Sequence, residues 1–136
     1  MSEKTCFIDA DVFVNAFVPL DDKRNRTSRE LLTRLEQGQI NLLTDYFALA
    51  EAHYIIEKYK GTDKASEVIR KILTFAHLEI VAVDGFAFFE ALKRTEKYQL
   101  KINDLVHYTI ALLRNASGIY SYDKDFNGLE IKRLEP

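Results

Sequence analysis

Between residues 5 and 134, short apolar runs alternate with stretches of helical periodicity. The runs "TCFID", "INLLT", "LEIVAV", "GIYSY" and "EIKRL" have the length and the β-branched or aromatic content of strands. Between them, apolar residues recur about every 3.6 positions. In "TDKASEVIRKILTFAH" they fall at Ala65, Val68, Ile69, Ile72, Leu73 and Ala76. Strands separated by helices pair in parallel, because each helix returns the chain to the start of the next strand. The alternation therefore predicts an α/β fold, with a mostly parallel central sheet flanked by helices.

The 136 residues predict a single domain over residues 1–136. At this length one core buries about two thirds of the unfolded surface. No repeat, low-complexity tract or linker interrupts the chain, and "VPLDDKRNR" (residues 18–26) is the longest polar, turn-like stretch. A short helix over residues 12–17 follows the first strand. Asn25 or Thr27 is the expected cap of "SRELLTRLEQG", which Gly38 ends. Asp45 is the expected cap of a helix through Tyr59, and Asp84 of "GFAFFEALKRTEKY". A further helix, "NDLVHYTIALLRNA", precedes the fourth strand.

Composition narrows the function classes. With 47% apolar and 29% charged residues the chain has the profile of a globular protein. A net charge of -2 provides no global basic field for nucleic acid, so any such steering falls to a local basic rim. The single cysteine, Cys6, lies in the first apolar run and reads as a small core residue. With no disulfide possible within the chain, the expected compartment is reducing, that is, cytoplasmic. No signal-peptide pattern precedes Thr5, and no apolar run approaches the roughly 18 residues of a membrane span.

In open parallel sheets, ligands bind beyond the carboxyl ends of the strands. Acids gather at those positions. Asp9 and Asp11 follow the first strand, and one of them is an ordinary helix cap. Glu51 shares a helical row with Phe47, Ile55 and Tyr59, where an unpaired carboxylate is costly to bury. It needs either a cationic partner or a position off the core. Asp104 stands in a first helical turn, where it favours the dipole. Asp123 and Asp125 follow Ser121 in "YSYDKDFNG", a turn-like segment. Each acid alone has a structural explanation. Together they form a group of carboxylates whose repulsion a divalent cation relieves, and oxygen donors suit Mg²⁺ or Mn²⁺. No Cys/His set has zinc spacing. Among the histidines, His53 faces away from Glu51 and His77 ends a helix. His107, one turn after Asp104, is a candidate to orient that acid or meet a phosphate, or else a packed residue.

The order and spacing of these motifs resemble those of PIN-domain nucleases, the fold of the VapC-type ribonuclease toxins. "FIDADVFVNAF" is similar to their opening strand and acidic motif, "LAEAHYII" to their helical glutamate, and "KINDLVHYTIAL" to their aspartate before the fourth strand. "IYSYDKDF" is similar to the closing motif, a hydroxyl residue followed two positions later by an acid. The chain departs from the pattern at Asp11, Ser121, Leu105 and His107, where Asn or Ser, Thr, and smaller or aliphatic residues are usual. The resemblance implies a PIN-like α/β/α sandwich and hydrolysis of RNA phosphodiester bonds with Mg²⁺ or Mn²⁺. It implies Asp9, Glu51, Asp104 and Asp123 as the catalytic metal set, Ser121 as support and Asp125 as an extra ligand. It also implies an antitoxin partner and a homodimer, to which Phe86, Phe88 and Phe89 are candidate contributors, although a place in the core explains these aromatics equally well. Arg24, Arg26, Arg29, Lys58 and Lys60 are candidate phosphate contacts. Two other readings stand beside this one: a non-catalytic scaffold that binds RNA or protein, and an aspartyl phosphatase using "DAD" as its nucleophile pair.

Overall fold

The computed structural model describes residues 4–136. Its strands are β1 (Cys6–Ile8), β2 (Leu42–Asp45), β3 (Leu78–Val81), β4 (Ile119–Tyr120) and β5 (Arg133–Leu134). They form one sheet in the order β3-β2-β1-β4-β5, and every pairing is parallel. The helices are α1 (Ala10–Phe17), α2 (Asp22–Glu36), α3 (Tyr46–Lys60), α4 (Thr62–Leu73), α5 (Gly85–Leu92) and α6 (Ile102–Leu113). The expected α/β architecture is therefore present.

The two-residue period of a strand sorts its side chains to opposite faces. Phe7 and Leu43, paired in register, face a core built with α5 and α6, including Tyr108, Ile110 and Ala91. Ile8 and Leu42 face the other core, with Phe13, Leu35, Ile56 and Ile72 from α1 to α4. The sheet is thus covered on both sides, as an all-parallel sheet requires.

Strand order reverses at β1. The chain steps outward through β2 and β3, then crosses to β4 on the other side of β1. The crevice beyond β1 and β4 is the switch point where such sheets bind ligands. The Asp9 N–H donates to the Tyr120 carbonyl (3.0 Å), which fixes the residue after β1 beside the end of β4.

Asp45 and Asp84 cap α3 and α5 as expected, accepting from the N–H groups of Ala48 (2.8 Å) and Ala87 (2.9 Å). Several boundaries differ from expectation. Helix α2 starts earlier, because Asp21 caps it by accepting from Arg24 N at 2.8 Å. Asn25 lies inside that helix and donates to the Asn15 carbonyl at 2.8 Å, while Thr27 meets the Tyr122 hydroxyl at 2.9 Å. Helix α1 begins at Ala10 with Asp9 as its cap. Helix α4 stops at Leu73, where the Thr74 hydroxyl donates back to Lys71 O at 2.7 Å, so His77 lies beyond it. Gly38, just past α2, has φ +73°, and a Cβ there would lie 2.8 Å from His77 Nε2, so the turn demands glycine. Cys6 is only partly buried, with Sγ 3.5 Å from the Ser117 hydroxyl. Phe86 and Phe89 are exposed, not core residues. No helix is long and apolar enough to cross a membrane among the described residues.

Candidate metal centre

The expected site residues converge on the switch-point crevice. Asp9 follows β1, Glu51 stands in the second turn of α3, Asp104 in the first turn of α6, and Ser121 and Asp123 follow β4. Oxygens of Asp104, Asp123 and Asp125 lie within 4.8 Å of one another, and so do donor atoms of Asp9, Glu51 and His107. The two groups share one field, because the charges of Asp9, Asp123 and Glu51 all act on Asp104.

Ser121 is fully buried and joins the two chain segments. Its hydroxyl donates to Asp9 Oδ2 at 2.7 Å and accepts from the Asp123 N–H at 3.0 Å. Asp9 Oδ1 accepts from Ala10 N at 2.8 Å, so both Asp9 oxygens are oriented. Asp11 does not cap the helix. One oxygen, Oδ2, accepts from Tyr122 N (3.1 Å) and lies 3.3 Å from the Ser121 hydroxyl, while Oδ1 is buried with no hydrogen-bond partner. Asp123 turns the chain by accepting from Asp125 N at 2.9 Å, and Asp125 is exposed.

His107 does not orient Asp104. Its ring is fully buried on α6, with Nδ1 2.7 Å from Asp45 Oδ2 and Nε2 3.0 Å from Glu51 Oε1. Asp9 Oδ1 lies 4.0 Å from the same Nε2. The Phe7 ring packs against the imidazole at 5.5 Å between centroids. Asp45 is also fully buried and serves both as the α3 cap and as this histidine's partner. The Glu51 row of α3 is thus explained by a cationic partner. Sequence reasoning missed the role of Asp45 and the direction of His107. The available signal was a histidine in the buried run of α6, which needs polar partners on both ring nitrogens.

The electrostatics record a crowded set of acids. Burial, then the neighbouring Asp9 charge, push Asp104 up to about 6 and Asp11 up to about 8. Burial also raises Asp9, against the opposing pull of His107 and the Ser121 hydrogen bond. Burial disfavours a charged His107, but the hydrogen bonds to Asp45 and Glu51 outweigh it and hold the ring at about 10. Among the described residues, the group that forms ion pairs with these acids is His107, and no Lys or Arg does so. Crowded carboxylate oxygens, an unpartnered buried Asp11 oxygen and raised acid pKa values fit a hard divalent cation of the Mg²⁺ or Mn²⁺ type.

The basic residues singled out in the sequence lie on α2 and at the end of α3. The Arg24 guanidinium lies 4.7 Å over the ring of Tyr122, the residue between Ser121 and Asp123. Lys58 lies over Tyr54 near the end of α3, and Lys60 is exposed in the last turn. Arg26 and Arg29 line a groove along α2 with Asn25, Glu30, Thr33 and Arg34.

Residues 6–132 match the family model described as the PIN domain. No sequence among curated proteins matches the chain. Among solved structures, the fold is similar to that of VapC20 of Mycobacterium tuberculosis, a toxin that cleaves the sarcin-ricin loop. The TM-score is 0.78 at 16% identity, over 96% of this chain and 99% of that one. It is also similar to a chain of VapBC2 from Rickettsia felis bound to a DNA fragment from its promoter, with TM-score 0.66, 21% identity and coverage of 96% and 97%. A third similar chain belongs to a toxin–antitoxin complex from Klebsiella pneumoniae, with TM-score 0.68, 14% identity and coverage of 96% and 97%.

Proposed function

We propose, from the premise that the chain belongs to the PIN-domain family, that it is a divalent-metal-dependent endoribonuclease and the toxin of a toxin–antitoxin pair. The observation that carries this reading is the convergence of Asp9, Glu51, Asp104 and Asp123 at the switch point with no Lys or Arg to neutralise them among the described residues. These four carboxylates are the ligands we assign to Mg²⁺ or Mn²⁺, with Asp125 as an extra one. Bound there, the ion supplies an activated water and stabilises the leaving oxygen of the phosphodiester.

The chain's own residues do the positioning. Ser121 holds Asp9 from one side, and through the Asp123 N–H it holds the loop that presents Asp123. His107, anchored by Asp45, holds Glu51. Arg24, stacked on Tyr122 next to Ser121 and Asp123 in the chain, is our first candidate for a phosphate next to the scissile one. Arg26, Arg29, Lys58 and Lys60 supply further phosphate contacts on this reading.

The same reading makes the functional unit a single domain over residues 1–136, working in the cytoplasm as a homodimer and held inactive by an antitoxin. The homology to structures of toxin–antitoxin complexes supports the partner. The test is cleavage of single-stranded and structured RNAs by purified protein. Cleavage should require Mg²⁺ or Mn²⁺, stop with EDTA and stop in Asp9→Asn. Metal-independent cleavage, or cleavage retained in Asp9→Asn, would overturn the assignment.

A further inference from the structure

Helix α3 follows directly on β2, so its first turns lie at the carboxyl edge of the sheet, where the acids meet. Residues three, four and seven apart share a helix face. Glu51 therefore shares one with Tyr54 and Lys58. A rise of about 1.5 Å per residue places Tyr54 about 4.5 Å and Lys58 about 10.5 Å further along the axis. Helical side chains slant toward the N-terminus, so those of Tyr54 and Lys58 lean back toward the turn that carries Glu51. The Lys58 ammonium follows that slant and lies 4.4 Å over the Tyr54 ring, one turn earlier.

The fold makes little use of either side chain. Tyr54 is 63% exposed. The neighbouring Glu57 is engaged by His53 (3.4 Å) and by the Thr62 hydroxyl (3.0 Å), and among the described residues Lys58 forms no ion pair. A cation over one face steadies the plane of the ring, and the ammonium itself stays open to an anion. Single-stranded nucleic acid is held by this combination, bases stacking on aromatic rings and phosphates meeting cations. Stacking needs no charge, which matters for a chain of net charge -2 whose centre is a group of acids. The unpaired ammonium also favours a polyanion over an apolar protein surface, which would have to strip it of water. We propose that Tyr54 and Lys58 form a platform for single-stranded RNA beside the metal centre, Tyr54 stacking on a base next to the cleaved bond and Lys58 meeting the phosphate beyond it. The platform selects against duplex at that position, where the bases are not free to stack on a side chain.

This inference rests on the ribonuclease reading above, and variants of an exposed ring separate the two. On an RNA that the wild type cleaves with Mn²⁺, Tyr54→Ala should lower kcat/KM roughly 5- to 150-fold, the loss of one stacked base. The loss should fall on KM more than on kcat, because the ring binds substrate and not the reacting atoms. Tyr54→Phe keeps the ring and should retain most of the activity. Tyr54→Leu keeps apolar bulk without a π face and should behave like Tyr54→Ala. The same RNA made abasic at one position beside the cleaved bond should be a poor substrate for the wild type, and Tyr54→Ala should then cost nothing further. Lys58→Gln should reduce the slope of log affinity against log salt by about 0.7, the share of one single-strand phosphate. Unchanged kcat/KM in Tyr54→Ala, or equal activity of the Leu and Phe variants, would overturn the platform and leave the ribonuclease reading standing. A change from dimer to monomer in Tyr54→Ala, with KM for RNA unchanged, would give this face to a second copy and would overturn the platform as well. Cleavage of no RNA by the wild type would overturn both.

Discussion

The Ser121 hydroxyl donates to Asp9 Oδ2 across 2.7 Å, although 112 positions separate the two residues in the chain. That one bond ties the end of β4 to the end of β1 and orients the carboxylate at the centre of the crevice. Ser121→Ala removes it and also the acceptor of the Asp123 N–H. The expected loss is about 1–3 kcal/mol of stability, read by urea unfolding, because buried polar partners are left unsatisfied. Mn²⁺ affinity should fall roughly 10- to 100-fold, as it does when a residue supporting a metal ligand is removed. Unchanged affinity would mean that Asp9 is oriented by Ala10 N alone.

Asp104→Asn should separate function from fold. The change is close to isosteric and removes a charge that burial and Asp9 oppose. RNA cleavage should be lost. Metal-free stability should hold or rise by up to about 1 kcal/mol, the gain being discounted for partial exposure and for the lost helix-dipole interaction. A fall of about 0.5–2 kcal/mol with cleavage retained is the signature of a structural acid and would remove Asp104 from the catalytic set.

Metal binding should appear as thermal stabilisation, since the folded site binds the ion and the dispersed acids of the unfolded chain do not. At about 100 times the dissociation constant the gain is about 2.7 kcal/mol. Asp9→Asn should abolish most of the shift in Tm. An equal shift in that variant would locate the ion elsewhere.

The metal-free protein should become more stable as pH falls from about 8 to about 4. Asp11 and Asp104 titrate near 8 and 6 in the fold, above the roughly 3.9 of an unfolded aspartate. The folded chain therefore binds these protons more tightly, and stability is lost as pH rises through that window. His107 acts in the same direction: its contribution is complete below about 6.5 and is lost as pH rises through about 10. Metal-free melts from about pH 5 to about pH 9 should show a falling Tm, and the increment given by Mn²⁺ should grow over the same range as the acids ionise. A metal-free Tm that climbs from pH 5 to pH 8 would contradict the raised pKa values of Asp11 and Asp104.

Local chemistry was the legible part of this sequence. Asp45 and Asp84 stand immediately before helical patterns and cap them, as their spacing predicts. The alternation of strands and helices yields the parallel sheet because it depends only on pattern. Competing local signals hid the start of α2: Asp21, Asn25 and Thr27 are all competent caps, and long-range partners draw the last two into other bonds. The acids could be listed from the sequence, but not the cation among them. His107 lies three positions from Asp104 and points instead at Asp45, 62 positions away. Its direction is set by how α6 packs on the sheet, which no local spacing encodes.

The central place of β1 has a consequence for the timing of synthesis. Strand β1 is made well before β4, which completes its hydrogen bonding and carries Ser121 to Asp123 behind it. At about 5–20 residues per second, several seconds separate Asp9 from its partners during translation. Until residues 119–123 emerge, β1 lacks one neighbour and Asp9 lacks the hydroxyl that orients it. A chain that stops before residue 119 therefore cannot assemble this group of acids, because it has neither Asp123 nor the Ser121 hydroxyl that orients Asp9.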